Sequence, residues 1–216
     1  MHWVSRFLVC LLLTIPFYGQ AADYFWIGGS GDWSDISHWA TTSGGGITHS
    51  QAPTADDDVY FDGNSFTAPG QTVTMNTDII FCRSMNWIAA TNNPTLIGGA
   101  NVTINVFGSL EMIANMTFNF SGEVVFTGNL LDNTVNFGPH TAGQDVLFSG
   151  TGAWTLNGGI TVDSAFVFNE GELYTNGQAV NCLYFYSNST SQRTLDLGSS
   201  TITITGQKSR SNHPTS

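Results

Sequence analysis

The sequence predicts an all-β protein, a right-handed parallel β-helix in which short strands stack into a solenoid. Short runs of alternating apolar and polar residues recur roughly every six to twelve residues. Turns of Gly, Asn, Ser or Asp end these runs, and many of the apolar positions are Phe. A β-sandwich, which uses longer strands joined as hairpins, is the alternative.

The N-terminal segment, residues 1–21, has the pattern of a signal peptide. An apolar stretch from Phe7 to Phe17 follows the single positive residue Arg6 and is too short to span a bilayer. Small residues precede a cleavage point after Ala21. We therefore expect a secreted or cell-surface protein with no membrane span after cleavage.

Residues 22–70 form a Trp- and Gly-rich segment that we expect to cap the solenoid. A solenoid must cover its terminal coil, because exposed strand edges and core residues aggregate. An alternative role is glycan binding, since aromatic rings stack on sugars; the candidate platform is Trp33, Trp39 and Tyr60. The residues predicted to build the cap are Trp26, Gly28, Gly29, Gly31, Trp33 and Trp39.

Residues 71–206 carry the repeated strands, which we expect to form about six coils of about 20 residues each. The run from Val102 to Val106 alternates cleanly, as does the run from Met116 to Phe120. Residues 207–216 are polar and are predicted to be a disordered tail. The aromatic residues expected to point inward are Phe118, Phe120, Phe126, Phe137, Phe148, Phe166 and Phe168.

Several segments resemble the large secreted surface proteins of Bacteroidota. The stretch from Trp26 to Trp39 reads WIGGSGDWSDISHW, and similar W-x-G-G-x-G-x-W segments open the passenger domains of autotransporter-like β-helices. The resemblance extends to CRSMNW from Cys82 and to RTLDLGSSTITITG from Arg193. It implies a parallel β-helix with a structural or adhesin-like role. Such proteins are similar to type IX secretion cargo and often end in a sorting domain that this chain lacks, so the resemblance also implies a fragment.

The charge composition restricts the possible partners. Sixteen acidic residues face five basic ones, which gives a formal net charge of −11. Binding to nucleic acid requires clustered Lys and Arg, and an anionic membrane surface repels an acidic protein. We therefore expect no nucleic-acid partner, and glycans or other surface proteins as the possible partners of a monomer.

The densest acidic cluster, Asp56, Asp57, Asp58 and Asp62, is the candidate Ca²⁺ site. Loops that gather several carboxylates can hold this ion. However, the spacing of an EF-hand is absent, and a solvated turn is the simpler interpretation. We expect no cofactor, with Ca²⁺ as the alternative.

Catalytic residues are difficult to find in the sequence. A polysaccharide lyase needs a cation beside a base, but Arg83 and Arg193 are far apart in the chain. A glycosidase needs two carboxylates at a set separation, and a turn-forming glycine separates Glu170 from Glu172. We therefore expect no enzyme activity, and keep a polysaccharide-degrading β-helix as the weaker alternative.

Two cysteines, Cys82 and Cys182, lie in the predicted mature chain. Export would permit a disulfide between them. Because they are separated by a hundred residues, two buried free thiols are the simpler expectation.

Overall fold

The structure, a computed structural model, describes residues 21–206. The predicted signal peptide, up to residue 20, and the predicted tail, residues 207–216, lie outside the described residues. The described residues form 21 strands and one short 3-10 helix, Ile36–His38. No helix in this described part is long and apolar enough to cross a membrane.

The strands assemble into three sheets, which we name sheets A, B and C, with the strands numbered in chain order. Sheet A comprises β1 (Asp23–Trp26), β3 (Trp39–Ala40), β4 (Asp58–Tyr60), β7 (Ser84–Asn86), β10 (Leu110–Glu111), β13 (Asn133–Asn136), β16 (Ala153–Leu156), β18 (Gly171–Tyr174) and β20 (Arg193–Asp196). Sheet B comprises β2 (Gly31–Asp32), β5 (Thr72–Met75), β8 (Thr95–Gly98) and β11 (Thr117–Phe120). Sheet C comprises β6 (Ile79–Cys82), β9 (Thr103–Val106), β12 (Glu123–Phe126), β14 (Thr141–Ala142), β15 (Val146–Phe148), β17 (Ile160–Phe168), β19 (Val180–Tyr186) and β21 (Ile202–Ile204).

The order of these strands confirms a parallel β-solenoid. Each of the three coils from β4 to β12 contributes one strand to sheet A, one to sheet B and one to sheet C before the chain returns to sheet A. Among the named strands, every pair is parallel except β1 with β3. A β-sandwich is excluded because it is built from antiparallel pairs. Eight parallel strands of sheet A stack along the axis.

The predicted alternation of the strands places one residue in two inside the coil. In β9, Ile104 and Val106 are buried, while Thr103 and Asn105 face outward. Because neighbouring strands are in register, like positions stack in columns along the axis. One inward column of sheet C is Cys82, Val106, Phe126, Phe148 and Phe168.

The stacked phenylalanines form much of the core. The rings of Phe126 and Phe148 stack at 4.6 Å between centroids, and that of Phe166 lies 5.5 Å from Phe148. Burying one such ring stabilises the fold by roughly 1.5–3 kcal/mol. The inward orientation predicted for the phenylalanines is confirmed, although Phe118 is only partly buried.

The coils become shorter along the chain. Asp58 pairs with Ser84, 26 positions later, whereas Ala153 pairs with Glu172, only 19 positions later. The shortening begins after β11, the last strand of sheet B. Beyond it, the first part of β17 pairs with β14 and its second part pairs with β15 of the preceding coil.

The segment predicted to be a cap contributes a strand, β1, to the parallel stack of sheet A. Strand β1 pairs in parallel with β4, and Tyr24 is opposite Val59. Strand β3 folds back against β1 in the antiparallel direction and places Trp39 opposite Trp26. The boundary predicted at residue 70 lies within a coil, between β4 and β5.

Cys82 and Cys182 are both free and buried. They lie on β6 and β19, separated by several coils of sheet C. Burial raises the pKa of both thiols, with the larger effect on Cys82. Both therefore stay protonated and act as small apolar core residues.

Candidate functional site

The three indoles of the Trp-Gly segment form a buried aromatic cluster at the N-terminal end of the solenoid. The ring of Trp39 meets Trp26 and Trp33 edge to face, at centroid distances of 4.9 and 4.7 Å. Each of two indole N–H groups has a carbonyl partner: Trp26 donates to Gly29 and Trp39 donates to Trp33, both at 2.7 Å. Paired polar edges allow these rings to be buried without an unsatisfied donor.

Two features of the backbone explain the glycines predicted in the cap. Gly28 and Gly29 have φ values of 82° and 79°, a conformation that side chains disfavour. Gly31 lies against the ring of His38, and a Cβ there would overlap the imidazole. The His38 ring in turn stacks on Trp26 at 4.6 Å. Because Gly28 and Gly31 have no side chain, the His38 ring can pack on the Trp26 indole.

Burial contradicts the proposed sugar platform of Trp33 and Trp39. Their exposed fractions are 2% and 0%, so neither ring has a face available to a ligand. Tyr60 differs, because its ring is partly exposed on the outer face of sheet A. It stacks on Phe25 of the neighbouring strand at 5.1 Å. The sequence did not indicate Phe25 as a partner of Tyr60, because their pairing depends on the register of β1 and β4.

An ion pair lies beside Tyr60. The Arg83 guanidinium donates to both carboxylate oxygens of Asp58, with Nε at 2.8 Å from Oδ1. This hydrogen bond raises the pKa of Arg83. Burial, followed by the charges of Asp58 and Asp23, raises the pKa of the Tyr60 phenol, which therefore stays neutral at physiological pH.

The four aspartates proposed as Ca²⁺ ligands do not converge. Asp58 is paired with Arg83, and Asp62 accepts the backbone N–H of Asn64 at 2.8 Å. Asp56 is exposed, whereas Asp57 is buried. Across residues 21–206, no group of three acidic, His or Cys side chains is arranged to hold a metal ion. Asp57, Asp58 and Asp62 therefore make hydrogen bonds within the fold, and Ca²⁺ binding at this cluster stays a prediction.

Asp57 instead binds backbone at the start of the described residues. Its carboxylate accepts the backbone N–H groups of Thr54 and Ala22, at 2.9 and 3.1 Å, and the Thr54 hydroxyl at 2.7 Å. Hydrogen bonds to an ionised group are among the stronger ones in proteins.

Replacing Asp57 with Ala is expected to lower the free energy of unfolding by about 2 kcal/mol, because three donors lose their acceptor. Urea denaturation followed by circular dichroism measures the change. The exposed neighbour supplies the control, since Asp56→Ala should change stability by less than about 0.5 kcal/mol.

Ca²⁺ should leave the melting temperature of the wild type unchanged. A calcium-dependent rise that Asp57→Ala abolishes would contradict this assignment.

A groove runs along the corner where each coil passes from sheet C to sheet A; we call it the corner groove. Three adjoining cavities of about 320, 370 and 250 Å³ form it. The first two share Thr151 and Glu170, and the second and third share Phe107 and Asn129. Arg83 lines one end and Arg193 the other.

Backbone forms the floor of the corner groove. A Cβ on Gly128 would overlap the carbonyl of Phe107, and one on Gly150 would overlap the carbonyl of Gly128. These glycines are buried, so only hydrogen fits between successive coils at the corner. The sequence showed the glycines as turn residues, but their stacking depends on the coil register.

The groove places Arg193 beside Glu170 and Glu172, the two carboxylates that the sequence offered as a possible pair. Glu172 accepts a hydrogen bond from the Tyr174 hydroxyl at 2.5 Å. Arg193 donates to the Ser187 hydroxyl and to the carbonyls of Ser187, Ser189 and Ser191. These hydrogen bonds hold the loop of residues 187–192 against the Arg193 guanidinium.

Comparisons with known proteins give no relative to this chain. No protein family, curated protein or solved structure matches it significantly. Among residues 21–206, the corner groove and the Phe25–Tyr60 pair are two surfaces whose side chains could recognise a ligand.

Proposed function

We propose that this chain is a rigid, non-catalytic structural module of a secreted or cell-surface protein, with an adhesin-like role. The observation that supports it best is the uninterrupted parallel stack from β1 to β20 in sheet A. Eight strands spaced about 4.8 Å apart give a rod about 34 Å long, in which each coil contacts its neighbours. Such a rod can hold a binding partner at a fixed distance from a surface.

The surface composition is consistent with an exported rod. Charged residues make up only 10% of the chain, against about 25% in ordinary globular domains. The outward positions of sheet A carry mainly hydroxyl, amide and phenol groups, such as Ser84, Asn86, Thr134 and Asn136. The apolar leader and the resemblance to Bacteroidota surface proteins point to the same location.

The proposal can be tested in cells that produce the full chain. We expect the exported product to begin at Ala22 by mass spectrometry, and to be removed from intact cells by added protease. Deleting the gene should reduce attachment of the cells to their substratum, and the wild-type gene should restore it. The Trp39→Ala variant should restore attachment poorly because its module is destabilised, whereas the exposed-site variant Ile47→Ala should restore it fully.

Two results would overturn the proposal. One is retention of the chain inside the cell, which would remove a surface role. The other is release of reducing ends when the purified protein is incubated with neutral or acidic polysaccharides, which would favour the polysaccharide-degrading alternative. Substituting Glu170 and Glu172 with Gln would then show whether the carboxylates of the corner groove carry that activity.

A further inference from the structure

The two cations of the described chain both lie on the corner groove. Between residues 21 and 206, Arg83 and Arg193 are the only Lys or Arg residues, and they line opposite ends of the groove. About five coil steps separate them, which corresponds to roughly 24 Å along the axis. The groove is therefore long enough for several units of an extended polymer.

Neither end supplies a free positive charge. Arg83 is paired with Asp58, and Arg193 is bound to the loop of residues 187–192. Asp56, Glu170 and Glu172 add negative charge along the groove. A polyanion such as nucleic acid or a uronic-acid polymer would be repelled, because its binding requires cations that remain available.

The middle of the groove offers neutral hydrogen-bonding groups around one aromatic ring. Thr127, Ser149, Thr151 and Asn129, which carry neutral polar side chains, line it. Phe107, only partly buried, lies in the same cavity. Side chains of this kind pair with sugar hydroxyls, while an aromatic face packs on the apolar face of a sugar ring.

An extended peptide fits the groove less well. Peptides that bind sheets pair with unpaired backbone groups at an exposed edge. Here the corner backbone is already paired between coils: Thr127 donates to Val106 at 3.1 Å, Ser149 to Phe126 at 2.8 Å and Asn169 to Phe148 at 2.8 Å. The remaining recognition groups are side chains, which favours a ligand rich in hydroxyls.

We propose that the corner groove binds a linear, uncharged oligosaccharide, which lies parallel to the solenoid axis with one sugar ring on Phe107. This site differs from the platform that the sequence suggested, and none of its lining residues belongs to that platform. The proposal is independent of the structural role, since a rod with no ligand would pass the attachment tests above and fail the binding tests below.

Binding can be measured by titrating the mature protein, labelled with ¹⁵N, with hexasaccharides of β-1,4-linked glucose, β-1,4-linked mannose, β-1,3-linked glucose and α-1,4-linked glucose. At least one should shift the backbone amide signals of Gly128, Gly150 and Thr151. A hexamer should bind more tightly than the corresponding dimer, because it spans more coils.

Two variants test whether the oligosaccharide binds in the corner groove. Thr151→Trp should weaken binding by about tenfold or more, because Thr151 is exposed and lines two of the three cavities. Phe107→Ala should also weaken it by removing the ring. The matched control is Thr161→Trp, which places the same large side chain at an exposed position of β17 outside the cavities. Melting temperatures verify that each variant is folded.

Three outcomes would overturn the proposal. The first is that none of the four hexasaccharides shifts any amide signal at millimolar concentration. The second is that the shifts map to another surface, such as the Phe25–Tyr60 pair, and persist in Thr151→Trp. The third is that a polar, extended peptide shifts the groove amides while the sugars do not, which would assign the groove to a protein partner.

Discussion

Replacing Trp39 with Ala is expected to lower the free energy of unfolding by about 3–5 kcal/mol, the range typical of a buried Trp truncated to Ala. Trp39 is fully buried and its ring packs against those of Tyr24, Trp26 and Trp33. Its loss leaves a cavity and deprives the carbonyl of Trp33 of its donor. Urea denaturation followed by far-ultraviolet circular dichroism measures the change.

Two further variants keep this prediction interpretable. Ile47→Ala, at a side chain that is 73% exposed, should change stability by less than about 0.5 kcal/mol. Trp39→Phe retains an aromatic ring and should lose less stability than Trp39→Ala, so it remains informative if the alanine variant does not fold. An alanine variant within 1 kcal/mol of the wild type would mean that the cluster contributes little to the cap.

Replacing Gly128 with Ala is expected to lower the free energy of unfolding by about 3 kcal/mol, the upper part of the range for overpacking. The new methyl group would overlap the carbonyl of Phe107 in the preceding coil. Backbone atoms on both sides are tied into the coil ladder, so relief requires the two coils to separate locally. Thermal unfolding by circular dichroism gives the change in melting temperature.

The control for this substitution is Gly99→Ala, at another turn between strands. A Cβ on Gly99 would meet no atom within 4 Å. The control should be neutral or slightly stabilising, because Ala has fewer conformations than Gly in the unfolded chain. If Gly128→Ala melted at the temperature of Gly99→Ala, the tight stacking at the corner would be wrong.

The alternation of the sequence predicts the strands and their inward sides well. The run predicted from Val102 to Val106 contains β9, and Phe126 and Phe148 lie in the core as expected. This succeeds because a period of two directly specifies which side chains enter the coil. The parallel stacking was also predictable, since strands this short gain little from isolated hairpins.

The details that depend on coil register were not predictable. The spacing of the tryptophans did not reveal whether Trp33 and Trp39 face solvent or core; the fold-back of β3 onto β1 decides this. The approach of Arg193 to Glu170 and Glu172 likewise depends on the register of β18 and β20, which places Gly171 opposite Arg193, 22 positions later. Both contacts join residues from different strands. Local sequence patterns do not encode how those strands are aligned.

The aromatic cluster also has a consequence for the order in which the chain folds. Trp26 and Trp39 are paired although only 13 residues separate them, whereas partners in the parallel ladders are at least 19 residues apart. Loop-closure entropy rises with the length of the loop, so the cluster needs the smallest loss of chain freedom of these pairings. Its first strand then offers a ready template for β4, which gives folding a direction along the chain, from the N-terminal end toward β21.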